Sequence, residues 1–107
     1  MTNPSTTQAR ALVDGLLRSG IDEVVVAPGS RNGPLSIALA QAAAAGRMRL
    51  HVRVDERSAA FLALGLAKRM ASPAALLCTS GTATAHFHAA AYEATEAGVP
   101  LLLLTAD

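Results

Sequence analysis

Residues 74–82 read AALLCTSGT, an apolar run that stops at a turn of small and hydroxyl-bearing residues. The run does not alternate between apolar and polar positions, as a strand with one face in water would. We predict a strand at 74–78 and a helix at 83–97 after the turn. A buried strand, a short turn and a helix form the repeating unit of parallel α/β sheets.

The same unit occurs along the whole chain. Further strands are predicted at 24–27, 48–54 and 99–104, and further helices at 6–19, 34–45 and 58–70. The order αβαβαβαβ predicts an α/β fold, a parallel sheet with helices on both faces. We expect one domain over residues 1–107. Because the last strand is followed only by TAD at 105–107, we interpret this domain as incomplete and truncated.

The composition narrows the function classes. The chain is 51% hydrophobic and only 16% charged, so we expect apolar surface that a second copy or more of the same polypeptide would cover. The net charge is +1 and no basic run occurs, which gives nucleic-acid binding no support.

The sequence also indicates the cellular compartment. Cys78 is the single cysteine, which excludes an intrachain disulfide framework and fits a reducing cytosol. The polar N-terminus does not resemble a signal peptide, and no apolar stretch is long enough for a membrane span. We predict a cytoplasmic protein.

Ligands of parallel sheets bind beyond the carboxyl ends of the strands, so the polar segments at these ends are the candidate sites. The first, PGSRNG at 28–33, has two glycines that permit close backbone approach. Ser30 or Asn32 could cap the following helix, and Arg31 beside a helix N-terminus could bind an anion. An ordinary turn with a solvated arginine explains the segment equally well.

The second segment, TSGT at 79–82, is not a nucleophile elbow, because it lacks the GxSxG pattern. We predict that Thr79 or Ser80 caps the next helix and that the turn also lines a ligand. His86 and His88 are two apart and point to different faces of a helix, so neither is predicted to bind a metal.

The third segment, DER at 55–57, follows a strand and opens a helix. Taken alone, its acids are better explained as helix capping than as chemistry. Asp55 is the predicted cap. Glu56 points elsewhere, and a carboxylate shielded from water at this position could share a proton with a heterocycle.

Five segments carry a resemblance to a known family: PGSRN at 28–32, HVRVDER at 51–57, LALGLA at 62–67, TSGTA at 79–83 and LLTAD at 103–107. Together they resemble the N-terminal pyrimidine-binding (PYR) domain of the 2-succinyl-5-enolpyruvyl-6-hydroxy-3-cyclohexene-1-carboxylate (SEPHCHC) synthases. These are thiamine-diphosphate-dependent transferases of menaquinone biosynthesis.

The resemblance implies a role for each segment. Glu56 matches the catalytic glutamate that hydrogen-bonds N1′ of the cofactor's aminopyrimidine. Ser80, Gly81 and Thr82 match the cofactor-binding turn. Ser30 and Arg31 match the motif that meets the acidic substrates, 2-oxoglutarate and isochorismate. The chain departs from the family at 84–86, where TAH replaces VAN, which leaves the role of His86 open.

The resemblance also implies a homo-oligomer, dimer or tetramer, with the cofactor between subunits. Mg²⁺ or Mn²⁺ would be held by a diphosphate-binding domain outside these residues, so the fragment alone is expected to be inactive and to contain no metal ligand. Two alternatives stay open. One is another thiamine-diphosphate enzyme, of the acetohydroxyacid synthase or 2-oxoacid decarboxylase type, and the other is a non-catalytic flavodoxin-like binding module.

Overall fold

A computed structural model describes residues 3–106 of the chain. The helices and strands are, in chain order, α1 Pro4–Arg18, β1 Glu23–Val26, α2 Gly33–Ala44, β2 Arg49–Val52, α3 Glu56–Met70, β3 Ala74–Cys78, α4 His88–Ala97 and β4 Leu101–Thr105. Two 3₁₀ segments, Ser30–Asn32 and Gly81–Phe87, precede α2 and α4.

The four strands form one parallel sheet in the order β2-β1-β3-β4. Val25 is in register with His51 on one side and with Leu76 on the other. The chain therefore builds the sheet outward from β1 to β2 and then returns to add β3 on the opposite side. Such a reversal leaves a crevice between the carboxyl ends of β1 and β3, where ligands of doubly wound sheets bind.

Helices cover both faces of the sheet, which explains why the central strands are apolar throughout. Every residue of β1 and β3 is buried. Val24, Val26 and Leu77 pack with α1 and α2, whereas Val25 and Leu76 pack with α3 and the segment before α4. The predicted fold class, a parallel α/β sheet with helices on both faces, is confirmed.

One predicted helix is wrong in its first part. Residues 83–97 were expected to form a single helix, but Gly81–Phe87 is a 3₁₀ helix and α4 begins only at His88. The hydroxyl of Thr84 donates to the carbonyl of Gly81 at 3.1 Å, a group that would accept from a backbone N–H one turn along an α-helix. This side-chain bond offers the backbone an alternative to the α-helical ladder, and the turn is tighter.

Apolar side chains remain exposed, as the composition indicated. They lie on the edge strands and on outward helix positions, for example Val52, Leu103, Ile37 and Tyr92. Among residues 3–106, no helix has the length and apolar character needed to cross a membrane.

Candidate functional site

The three polar segments meet at one edge of the sheet, because the strands that precede them are parallel neighbours. The loop after β1 lies between the loops after β2 and β3. We call this edge the carboxyl edge; it contains residues 28–32, 55–57 and 79–82. Residues 105–107 lie at the carboxyl end of the outer strand β4, of which Thr105 is the last residue, and Asp107 lies outside the described residues.

The loop after β1 is closed by the side chain of Asn32, which is 1% exposed. Its amide nitrogen donates to the carbonyl of Ala27 at 2.9 Å, and its amide oxygen accepts from the N–H of Gly29 at 3.1 Å. Asn32 precedes α2 but makes no capping hydrogen bond to it, and Ser30 makes none either. The prediction that one of them caps α2 is therefore wrong, because the asparagine amide satisfies the loop backbone instead.

The loops after β1 and β3 are in direct contact at Gly29 and Thr79. A Cβ atom placed on Gly29 would lie 2.5 Å from Cβ of Thr79 and 2.6 Å from its Cγ2. Only glycine leaves room for this approach, so the two loops at the switch point of the sheet have a fixed separation. The Oγ1 atom of Thr79 is buried and has no hydrogen-bond partner among the described residues.

The turn after β3 exposes backbone and hydroxyl groups to solvent. Gly81 has φ +76°, a left-handed conformation that favours glycine. Ser80 is half-buried, and Gly81 and Thr82 are exposed. Ser80 occupies the position before the 3₁₀ helix without a side-chain capping bond, and Thr79 makes no such bond, so the predicted capping by Thr79 or Ser80 is wrong.

The two acids at the start of α3 have different surroundings. The Oδ2 atom of Asp55 accepts from the backbone N–H and from the hydroxyl of Ser58, both at 2.9 Å. These bonds, the backbone one first, lower the pKa of Asp55, and the charges of His86 and Arg57 act in the same direction. The prediction that Asp55 caps the helix is confirmed.

Glu56 is the first residue of α3 and is half-buried. Within residues 3–106 its carboxylate makes no hydrogen bond or ion pair. Burial raises the pKa of the Cys78 thiol, and the negative charge of Glu56 raises it further. Glu56 therefore lies near the end of β3, beside the turn that contains Ser80.

Arg31 is placed on the other side of the sheet. It lines an open groove of about 640 Å³ between the N-terminal parts of α1 and α2 and the end of β4. Other residues of the groove are Ser5, Gln8, Leu12, Leu35 and Thr105. The structure thus brings Glu56 together with the 79–82 turn, whereas Arg31 belongs to the same edge but to the face covered by α1 and α2.

The sequence did not predict that two polar side chains, Asn32 and Glu23, are buried. Glu23 lies at the amino end of β1, with Oε2 3.5 Å from Nε2 of His51 and Oε1 3.3 Å from Nε of Arg49. The Arg49 contact is close enough for charge attraction, but Oε1 accepts no hydrogen bond. Glu23 is remote from the carboxyl edge along the strand. The only sequence signal was an acid at the start of an apolar strand.

A metal site is not evident in the part of the chain that is described. No group of three or more His, Cys, Asp or Glu side chains within residues 3–106 is arranged to hold a metal ion. The side chains of His86 and His88 have different surroundings. The charge of His86 lowers the pKa of Asp55, and the ring centroid of His88 lies 6.3 Å from that of Tyr92.

Acid should weaken the α3 cap. The lowered pKa of Asp55 means that its contribution to stability is complete above the unfolded-state pKa of about 3.9 and is lost as pH falls through the lower folded-state value. We expect Asp55→Ala to lower the midpoint of thermal unfolding at pH 7 and to reduce its decline below pH 4. Thermal unfolding followed by circular dichroism between pH 2.5 and 7 measures both effects.

Asp55→Asn is the matched control, because asparagine caps helices about as well as aspartate. It should keep most of the stability at pH 7 and lose the same part of the acid dependence. Equal acid dependence in all three proteins would show that the carboxylate of Asp55 does not act as described.

A parallel sheet with small, polar loops at its switch point defines the class of α/β ligand-binding domains. The chain belongs to the family "thiamine pyrophosphate enzyme, N-terminal TPP binding domain", whose model matches residues 6–107. This match covers all three segments of the carboxyl edge.

Three relatives of this chain share one enzyme name. Over 105 residues, 98% of this chain, it is 62% identical to 2-succinyl-5-enolpyruvyl-6-hydroxy-3-cyclohexene-1-carboxylate synthase of Saccharopolyspora erythraea. It is 59% identical to the enzyme of the same name from Thermobifida fusca and 56% identical to that of Mycobacterium avium. The chain spans only 18–19% of the length of these relatives.

A solved structure supports the fold. The chain superimposes on benzoylformate decarboxylase from Polynucleobacter necessarius with a TM-score of 0.77, covering 92% of this chain and 18% of that one. The sequence identity is 18%, so the similarity concerns the fold alone.

Proposed function

We propose that this chain is the pyrimidine-binding part of a thiamine-diphosphate-dependent SEPHCHC synthase. The observation that carries the proposal is the 56–62% identity over 98% of the chain to enzymes of that name. The reaction removes CO₂ from 2-oxoglutarate and adds the remaining four-carbon unit to isochorismate. The chain supplies one wall of the active site and is inactive by itself.

The residues of the carboxyl edge fit the cofactor. Glu56 offers a half-buried carboxylate that has no partner among the described residues. The hydroxyl of Thr79, the first residue of the 79–82 turn, is buried and has no hydrogen-bond partner among them. When bound, thiamine diphosphate supplies a carbon that holds the electron pair released as CO₂ leaves a 2-oxo acid. Ser80, Gly81 and Thr82 would hold the cofactor ring beside Glu56.

Glu56 has the chemical role in this proposal. Its carboxylate shares a proton with N1′ of the aminopyrimidine ring and so sets the protonation of that ring. Asp55 meanwhile keeps the helix start in place without taking part.

Ser30 and Arg31 recognise the acidic substrates. A guanidinium group binds a carboxylate through two parallel hydrogen bonds, which fixes orientation as well as charge. Arg31 would meet a substrate carboxylate from the groove on the α1–α2 face, whereas Glu56 lies at the start of α3.

Other components lie outside this chain. A later domain would supply the ligands of Mg²⁺ or Mn²⁺, and a second subunit of a cytoplasmic homo-oligomer would complete the cofactor site. The exposed apolar side chains, such as Ile37 and Tyr92, support burial against further protein.

A chimera tests the function. Residues 1–107 of this chain replace the corresponding N-terminal fifth of the Saccharopolyspora erythraea synthase, and product formation from 2-oxoglutarate and isochorismate is measured by chromatography. We expect turnover comparable to that of the parent enzyme. A folded chimera that binds thiamine diphosphate but rejects this pair, or prefers pyruvate, would support another thiamine-diphosphate enzyme instead.

A further inference from the structure

We propose that Asn32 is a positioning residue, which fixes the loop that presents Arg31 to the acidic substrate. The inference rests on the proposed function, since it assigns to Arg31 the binding of a substrate carboxylate. It concerns a residue whose own side chain is buried and therefore does not contact the substrate.

The hydrogen bonds of Asn32 connect the loop to the end of the strand before it and to the helix after it. Its amide nitrogen binds Ala27 at the end of β1, its amide oxygen accepts from Gly29, and the hydroxyl of Ser36 in α2 lies 3.3 Å from the same oxygen. Only an amide offers a donor and an acceptor in this arrangement. Aspartate lacks the donor, and an apolar residue of similar size lacks both.

These bonds relate the loop to the sheet. The N–H of Ala27 donates to the carbonyl of Leu77 at 2.8 Å, so the point to which Asn32 binds is itself part of the ladder. Gly29, the other partner, packs against Thr79 without spare room. Arg31 is joined covalently to Asn32, so its backbone position is set relative to both central strands.

The consequence for catalysis is geometric. A guanidinium group that binds two carboxylate oxygens is sensitive to small displacements, and misplacement by about 1 Å can cost on the order of 10²-fold in rate. Loss of the amide would leave the loop backbone without its partners and let the Arg31 position vary. The effect should fall on the substrate that Arg31 binds, while binding of thiamine diphosphate on the α3 face is retained.

The experiment uses the chimera, after its turnover has been established. The KM for each substrate, kcat and the dissociation constant for thiamine diphosphate are measured for Asn32→Ala, Arg31→Ala and the double variant. We expect Asn32→Ala to raise the KM of the substrate that responds to Arg31→Ala, lowering kcat/KM by roughly 10- to 100-fold. In the Arg31→Ala background the same change should add little, because the two residues act through one contact.

Glu23→Gln is the control variant for a general loss of stability. This change removes a buried carboxylate at the amino end of β1, the strand that leads into the loop. It should lower the unfolding temperature without altering either KM. If Asn32→Ala does not fold, Asn32→Asp is used, which keeps the acceptor for Gly29 and loses the donor to Ala27.

Several outcomes would overturn the proposal. Fully additive effects of the Asn32 and Arg31 changes, equal losses of substrate and cofactor affinity, or an unchanged KM in a folded Asn32 variant each contradict it. Arg31→Ala without effect on either KM overturns it together with the role of Arg31. Turnover of the unsubstituted chimera, measured first, shows separately whether the proposed function holds.

Discussion

Turnover of the chimera is expected to fall by roughly 10²- to 10⁴-fold when Glu56 is replaced by glutamine, the range that general acid–base groups contribute. Glutamine has nearly the same shape as glutamate, but its amide cannot take up or release the proton shared with the cofactor ring. The fold should be unaffected, because the carboxylate makes no hydrogen bond or ion pair within residues 3–106. The measurement is kcat at saturating thiamine diphosphate, together with the unfolding temperature.

Asp55→Asn provides the matched control, since it makes the same acid-to-amide change one residue earlier. Its cap is retained, so turnover should remain close to that of the unsubstituted chimera. The assignment of Glu56 is wrong if Glu56→Gln keeps full turnover at saturating cofactor. A loss shared equally by both variants would instead indicate damage to the start of α3.

Asp55 and Glu56 show which features of the site can be predicted from the sequence. Asp55 could be predicted as the cap because capping depends on three or four consecutive residues, and the structure places Ser58 where this rule requires it. Strand β3 was predicted with its observed bounds, 74–78, for a similar reason. An unalternating apolar run and the turn after it are both local signals.

Features that depend on distant residues were not predictable. The sequence places Arg31 and Glu56 at one edge of the sheet, because parallel strands share an edge. It does not reveal that Arg31 lies on the α1–α2 face and Glu56 on the α3 face, since the direction of a loop depends on the elements it packs against. The role of Asn32 could not be predicted either, because its partners are backbone groups that many side chains could reach.

The contact between Gly29 and Thr79 is a further long-range feature, and it yields a large expected effect on stability. Gly29→Ala should lower the free energy of unfolding by about 1–3 kcal/mol, the usual cost of adding a methyl group where no space exists. The added Cβ would lie 2.5 Å from Cβ of Thr79, so one of the two loops must move. Urea unfolding of the chain, followed by circular dichroism, measures the change.

The cause is steric and not conformational, which the controls can show. Gly29 has φ −165°, an extended conformation that any residue adopts, so alanine meets no backbone strain there. Gly33→Ala, four residues along, places a methyl group where nothing lies within 4 Å and should leave stability unchanged or slightly higher. Thr79→Gly removes the opposing side chain, so Gly29→Ala should cost much less in that background. If Gly29→Ala costs the same with glycine at 79 as with threonine, the contact does not determine the separation of the two loops.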